Sequence, residues 1–288
     1  MGVVAAFIAA AFASARDLTS KKITFKLDGT LNTFGSFAFA LPFYLVALII
    51  AYFAGMNVFD ISSAALFIIV LRSLSDSCAE WTRMQALTLS DISLVVPFLA
   101  LAPVFLMVTS PLITGDPLTP YGIFGLLAVT AGGLYLYRGQ EGTAKKANRK
   151  GIFIAILASF FFSLNHCFDR LAAQRLNPLM ASFLMTLFAA LLILPFAVRK
   201  EDSVSKIMKA KKILFGRGAL EMGFMICKLT ALKYLQAPYV VSMTATAMIM
   251  SIIGGRFFFG EKELGRRLGA GIIIFAGVVA VLFDIIRN

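Results

Sequence analysis

With one histidine, one tryptophan and three cysteines, a 288-residue chain has little to offer for histidine- or cysteine-based metal or redox chemistry. Cys78, Cys167 and Cys227 fall inside apolar stretches, without a second cysteine or a histidine at ligand spacing, so no disulfide, metal site or cofactor is expected. Charge is scarce as well. Asp, Glu, Lys and Arg make up 15% of the residues, against 59% hydrophobic residues and a mean hydropathy of +0.86. Soluble domains hold roughly 45–50% apolar residues, so this composition points to a polytopic membrane protein. The N-terminus also lacks a basic leader and a small-residue cleavage site, and the first apolar segment is therefore expected to be retained.

What charge there is carries a bias. The net charge is +12, with a pI near 9.8. The lysines and arginines sit between apolar stretches and do not line one face, so they read as topology signals and nucleic acid is not an expected partner.

A spanning helix needs about 20 mainly apolar residues. Windows of that size predict ten spans, at about 2–20, 34–54, 62–84, 90–111, 120–138, 151–172, 178–198, 211–233, 237–259 and 265–286. The first is interrupted by Arg16 and Asp17, and the third and eighth are the most polar. Connections are short and marked by Gly or Pro, as at Gly115 to Pro120, Gly139 to Gly142, Pro178, and Gly260 to Gly265. Most of the 27 basic residues fall in connections after odd-numbered spans, which by the positive-inside rule puts those connections in the cytoplasm and both termini outside.

The spans form two copies of one unit. Residues 217–282 repeat residues 72–137 at a constant offset of 145: Arg72 answers to Arg217, Asp76 to Glu221, Ala86-Leu87 to Ala231-Leu232, Val95-Val96 to Val240-Val241, and Gly115-Asp116 to Gly260-Glu261. Five spans per copy is an odd number, so the second copy enters the bilayer inverted. That arrangement is characteristic of transporters. The expected fold is all-α integral membrane, with ten transmembrane helices as two inverted-topology five-helix repeats, at 1–138 and 151–288, joined by a basic cytoplasmic linker at 139–150.

The pattern resembles the drug/metabolite transporter superfamily in its EamA-type ten-helix branch. The residues that carry the resemblance in the first half are Ala86-Leu87 with Leu89-Ser90, Pro97, Pro103-Val104-Phe105, the turn Gly115-Asp116-Pro117-Leu118-Thr119 and Ala131-Gly132-Gly133. In the second half they are Ala231-Leu232-Lys233-Tyr234, Ala237-Pro238, Gly260-Glu261-Lys262-Glu263-Leu264 and the stretch from Gly269 to Gly277. The resemblance covers nearly the whole chain. It implies a secondary transporter that moves a small metabolite by alternating access through a central cavity, without naming the metabolite. Small four-helix relatives couple protons through a glutamate in the first helix, whereas this first span offers only Arg16 and Asp17 near its end, so that mechanism is not supported.

Ionisable side chains inside a membrane cost about 2.5–3.5 kcal/mol each on insertion scales, and so face a bundle interior or a watery cavity. The third span carries Arg72, Asp76, Glu80 and Arg83 along one helical face, where opposite charges can pair. The eighth repeats the arrangement with Arg217, Glu221 and Lys228, and has Met225 in place of Glu80. These residues are the leading candidates for a substrate-facing lining. The competing readings are a snorkelling Arg217 and a purely structural Arg72–Asp76 pair.

The sixth span adds Asn165, His166 and Asp169-Arg170, aligned with the first span at an offset of 149. His166, with an unperturbed pKa of about 6.5, is a candidate for substrate or proton handling, alongside the carboxylates Asp76, Glu80 and Glu221. Trp81 adjoins Glu80 and reads either as a substrate-stacking residue or as an interfacial anchor. The glycines at 132–133, 254–255 and 269–271 are expected to allow close helix contact. Pro97 and Pro103 are expected to loosen the fourth span, while Ser242 and Met248 leave the ninth unbroken.

The function expected is secondary-active transport of a small polar or zwitterionic, amino-acid-like metabolite across the cell (plasma or inner) membrane. The runner-up cargo is a phosphorylated sugar or nucleotide sugar, favoured by the arginines and opposed by the carboxylates. A membrane enzyme acting on lipid head groups, with His166 and Asp169 as an acid–base pair, lacks a metal cluster, a phosphate loop and a duplicated catalytic motif. A non-transporting receptor or assembly subunit is the remaining alternative. Expected partners are the small-molecule substrate and membrane lipid, and a coupling proton or ion and a homodimer are compatible with the pattern.

Overall fold

The computed structural model describes residues 1–24, 27, 29–89, 98–137, 149–259 and 264–287. The regular structure among them is entirely α-helical. In chain order the helices are α1 (Gly2–Thr24), α2 (Gly29–Ala38), α3 (Leu41–Phe53), α4 (Ser63–Leu89), α5 (Ala102–Ile113), α6 (Pro120–Tyr137), α7 (Arg149–Arg175), α8 (Pro178–Val198), α9 (Ser203–Lys209), α10 (Lys211–Tyr234), α11 (Ala237–Thr244), α12 (Thr246–Phe259) and α13 (Leu264–Arg287). Several proline positions follow from helix chemistry. Pro42, Pro103, Pro178 and Pro238 stand at the first or second position of a helix, where a missing N–H costs nothing, and α6 begins on Pro120. Asn177 caps α8 by accepting from the Leu179 N–H at 2.9 Å.

Three predicted spans are broken among the described residues. The fourth is interrupted at 100–101, before α5. The second is split at Phe39–Ala40, where Pro42 restarts the chain as α3. The ninth, expected to be unbroken, is interrupted at Ala245 between α11 and α12. Thr244 Oγ1 bonds back to the carbonyls of Val240 and Val241, and Thr246 Oγ1 to that of Met243, contacts that bend helices. Ser90, Val95-Val96 and Pro97, the linker up to position 148 and the turn at 260–263 lie outside the described residues.

Five helical stretches are long and apolar enough to cross a membrane: Gly2–Thr19, Thr30–Phe53, Arg149–Arg175, Pro178–Val198 and Gly269–Arg287. Ala102–Ile113, Pro120–Tyr135 and Ala237–Ser251 are shorter apolar helices. The charge-bearing α4 and α10 belong to neither group.

The most extensive packing joins α4 to α7, α6 to α13 and α1 to α10, followed by α5 with α7, α1 with α12 and α2 with α8. Exchanging the two halves of the chain leaves this pattern unchanged: α1 on α10 becomes α7 on α4, α5 on α7 becomes α12 on α1, and the other two pairs map onto themselves. The main hydrophobic core among the described residues runs through both halves, from Ala6, Ile69 and Leu126 to Met185, Leu229 and Ile274. The α6–α13 seam closes on small residues. A Cβ at Gly277 would stand 2.6 Å from the Ala128 Cβ and 3.0 Å from the Gly125 carbonyl oxygen, so the two backbones touch only because the residue is glycine.

Candidate substrate site

On α4 the spacing of four, four and three residues aligns Arg72, Asp76, Glu80 and Arg83 toward α7 and the interior. Arg72 is 9% exposed. Its Nη1 donates to Asp76 Oδ2 at 3.0 Å and its Nε donates to Asp169 Oδ1 of α7 at 3.1 Å. The second Asp169 oxygen accepts from Lys228 Nζ of α10 at 2.6 Å, so this fully buried carboxylate ties α4, α7 and α10 together. Asn165 Nδ2, one turn before Asp169, donates to Asp76 Oδ1 at 2.9 Å. Arg217 Nη1 donates to Glu221 Oε2 within α10, and Arg16 of α1 reaches Glu221 Oε1 at 3.6 Å. The Arg16 guanidinium also lies 4.2 Å from the Phe224 ring centroid, where the ring face attracts the cation.

Each of these charges has a partner of opposite sign, as burial in an apolar bundle demands. Around them lies a cavity of about 440 Å³. Five cationic residues (Arg16, Arg72, Arg83, Arg217 and Lys228) and five carboxylates (Asp17, Asp76, Glu80, Asp169 and Glu221) line it among the described residues, so its wall is close to neutral overall. The Glu80–Arg83 pair, bridged at 2.6 Å, is about one-third exposed, and Asp17 more than half. Asp169 and Lys228 are buried. The mouth is therefore at the end carrying Asp17, Glu80 and Arg83, and Asp169 with Lys228 forms the floor.

The network repeats itself across the halves. Arg72–Asp76 and Arg217–Glu221 are equivalent pairs at the offset of 145. Asn165 on Asp76 and Arg16 on Glu221 are equivalent at the offset of 149 between α1 and α7. The halves also differ: Asp169 answers to Ser20, Arg16 to Asn165 and Glu80 to Met225, and the basic pair Arg83 and Lys228 find different partners. Lys228 finds its carboxylate on another helix, at Asp169, whereas its counterpart Arg83 finds Glu80 on its own helix.

Beyond the floor the bundle is sealed. Asp116, in the turn before α6, accepts from Arg170 Nε and Nη2 at 3.3 Å and from the Ala237 backbone N–H at 3.2 Å. Arg170 Nη1 also donates to the Leu232 carbonyl. Asp116 belongs to the first half, and both partners of its side chain, Arg170 and Ala237, to the second. Beside this group, Asp284 accepts from Thr119 Oγ1 at 2.6 Å and from the Tyr239 hydroxyl.

Of the residues singled out from sequence, Arg72, Asp76, Glu80, Asn165, His166, Arg217, Glu221 and Lys228 all line the cavity. Trp81 does not: it points outward, 64% exposed, into a neighbouring apolar groove. Among the charged lining residues, the site candidates omit Arg16, Asp17 and Asp169. Asp169 carried a visible signal, a carboxylate in an otherwise apolar helix. Arg16 and Asp17 stand at the end of the apolar run, but α1 continues to Thr24 and carries them into the lining. Asn165 Oδ1 and His166 Nδ1 are buried with no hydrogen-bond partner among the described residues. Both Asp169 oxygens are occupied by Arg72 and Lys228, so His166 and Asp169 are not joined as an acid–base pair.

A model of the EamA-like transporter family matches residues 1–138 and 149–283. The chain belongs to this family. An EamA-like protein is a membrane transporter, and the apolar helices make this one a multi-pass membrane protein. An uncharacterized transporter of Archaeoglobus fulgidus is 26% identical over 239 residues, covering 83% of this chain and 82% of its own. A solved crystal structure with 16% identity aligns at a TM-score of 0.76 over 99% of this chain and 98% of its own, a likeness of fold alone.

Proposed function

We propose that this EamA-like protein is a secondary-active transporter that moves a small zwitterionic, amino-acid-like metabolite across the cell membrane by alternating access. Its ten spans form two inverted five-helix units, 1–138 and 151–288, around the cavity, with 139–150 as a cytoplasmic linker. The matched packing of the two halves and the family match on either side of the linker support this architecture.

The observation that carries the substrate class is the charge-balanced cavity wall, with five cations and five carboxylates. The site's own charges are satisfied in pairs. A zwitterion brings one charge of each sign and exchanges with such pairs: its carboxylate toward Arg72 and Lys228, its ammonium toward Asp76 and Glu80. The unpartnered Asn165 Oδ1 and His166 Nδ1 supply further polar contacts. A phosphorylated sugar fits less well, because its phosphate would meet as many carboxylates as cations. By the charge bias of the connections, the mouth faces the cytoplasm, and the group formed by Asp116, Arg170 and Ala237 closes the outer end.

Affinity for amino acids, measured by calorimetry on purified protein, tests the site. Arg72→Ala and Glu80→Gln are each expected to weaken binding by about tenfold or more, the equivalent of about 1.4 kcal/mol. Arg72→Lys, which keeps the charge, retains part of the affinity. Unchanged affinity in both Arg72→Ala and Glu80→Gln rejects the assignment.

A further inference from the structure

A groove of about 420 Å³ runs along the outside of α2, α4 and α8. Its walls include Leu74, Trp81, Leu192, Ile193 and Phe196, and its surface is overwhelmingly apolar. Four of its residues, Thr33, Phe37, Asp76 and Glu80, also line the polar cavity. The two spaces therefore adjoin at these four residues, with the apolar residues of the groove beyond them.

We propose that the groove is a specificity subsite that takes an apolar side group of the substrate. The inference rests on the zwitterion reading of the cavity and narrows it to zwitterions with a sizeable aliphatic or aromatic substituent. Charge complementarity supports this occupant. Asp76 and Glu80 are the carboxylates offered to the ammonium, and they are also the residues that border the groove. A ligand held there by its ammonium has its side group next to the apolar wall. Leaving water for that wall is favourable for an aliphatic group and has no counterpart for glycine. A small polar zwitterion would use the cavity alone.

Trp81 provides a direct readout, because it is the only tryptophan in the chain and stands in the groove wall beside Glu80. The full-length protein in nanodiscs is titrated with glycine and with leucine, following both heat and tryptophan emission. Both amino acids are expected to bind, leucine about tenfold or more tighter. Only leucine is expected to shift Trp81 emission saturably and to protect it from quenching by brominated lipid. Leu192→Asn is expected to reduce the preference for leucine and to leave glycine affinity unchanged.

Equal affinities with unmoved emission overturn the subsite and leave the cavity reading intact. Equal quenching with and without leucine assigns the groove to lipid acyl chains and likewise overturns the subsite. Binding of neither amino acid rejects the zwitterion reading itself, and the subsite with it.

Discussion

Asp169 is a carboxylate with no exposed surface, held between an arginine on one helix and a lysine on another. Its position illustrates how a membrane bundle keeps polar groups at its centre: each charge is neutralised locally, and the geometry of that neutralisation joins three helices. The same scale explains a glycine. Gly218 of α10 packs where the chain breaks between α2 and α3, and a Cβ there would lie 2.5 Å from both the carbonyl carbon and oxygen of Phe39. Backbone cannot yield as a flexible side chain can. Gly218→Ala is therefore expected to destabilise the protein by about 1–3 kcal/mol, seen as a lowered thermal transition in detergent, with Gly216→Ala, which meets open space, as the neutral control. Equal transitions for the two variants contradict the packing described.

At the scale of elements, the breaks matter as much as the helices. α11 and α12 are separated at Ala245, and α5 begins after Leu101, so the regions equivalent at the offset of 145 are both interrupted. The apolar periodicity that predicts spans reports burial against lipid. It is blind to threonine back-bonds such as those of Thr244 and Thr246, and so is the proline-based expectation, from Ser242 and Met248, that the ninth span runs unbroken. The polar lining was largely legible, because a charge in an apolar helix is costly enough to be kept only at a sheltered surface. Which charge pairs with which was not legible: Lys228 takes Asp169, 59 residues away, and the choice depends on helix packing.

The sealed end is a second element-level device. In the proposed cycle the Asp116–Arg170 contact, with the Ala237 N–H and the Leu232 carbonyl, must separate for the cavity to open outward. Cys167 is fully buried just inside this group and free of disulfide. With Cys78 and Cys227 replaced by serine, Asp116→Asn is expected to raise the labelling rate of Cys167 by an impermeant maleimide severalfold from the sealed side. An unchanged rate removes these residues from the gate.

Across the whole molecule, the two halves share the main core and a polar network, in which Arg72–Asp76 and Arg217–Glu221 are equivalent pairs while Arg83 and Lys228 part company. A symmetric frame suits a site that must be reached from either side, and the difference between Arg83 and Lys228 puts the more exposed ion pair at the mouth. Charge-balanced lining, one open end and one sealed end together make the central claim: the chain carries zwitterions by alternating exposure of one cavity. Counterflow in proteoliposomes tests it most directly, with vesicles loaded with unlabelled leucine and diluted into trace labelled leucine. The account predicts transient accumulation of label that is lost in Arg72→Ala while the variant stays folded. No accumulation with the wild-type protein, or equal accumulation in the folded variant, would contradict it.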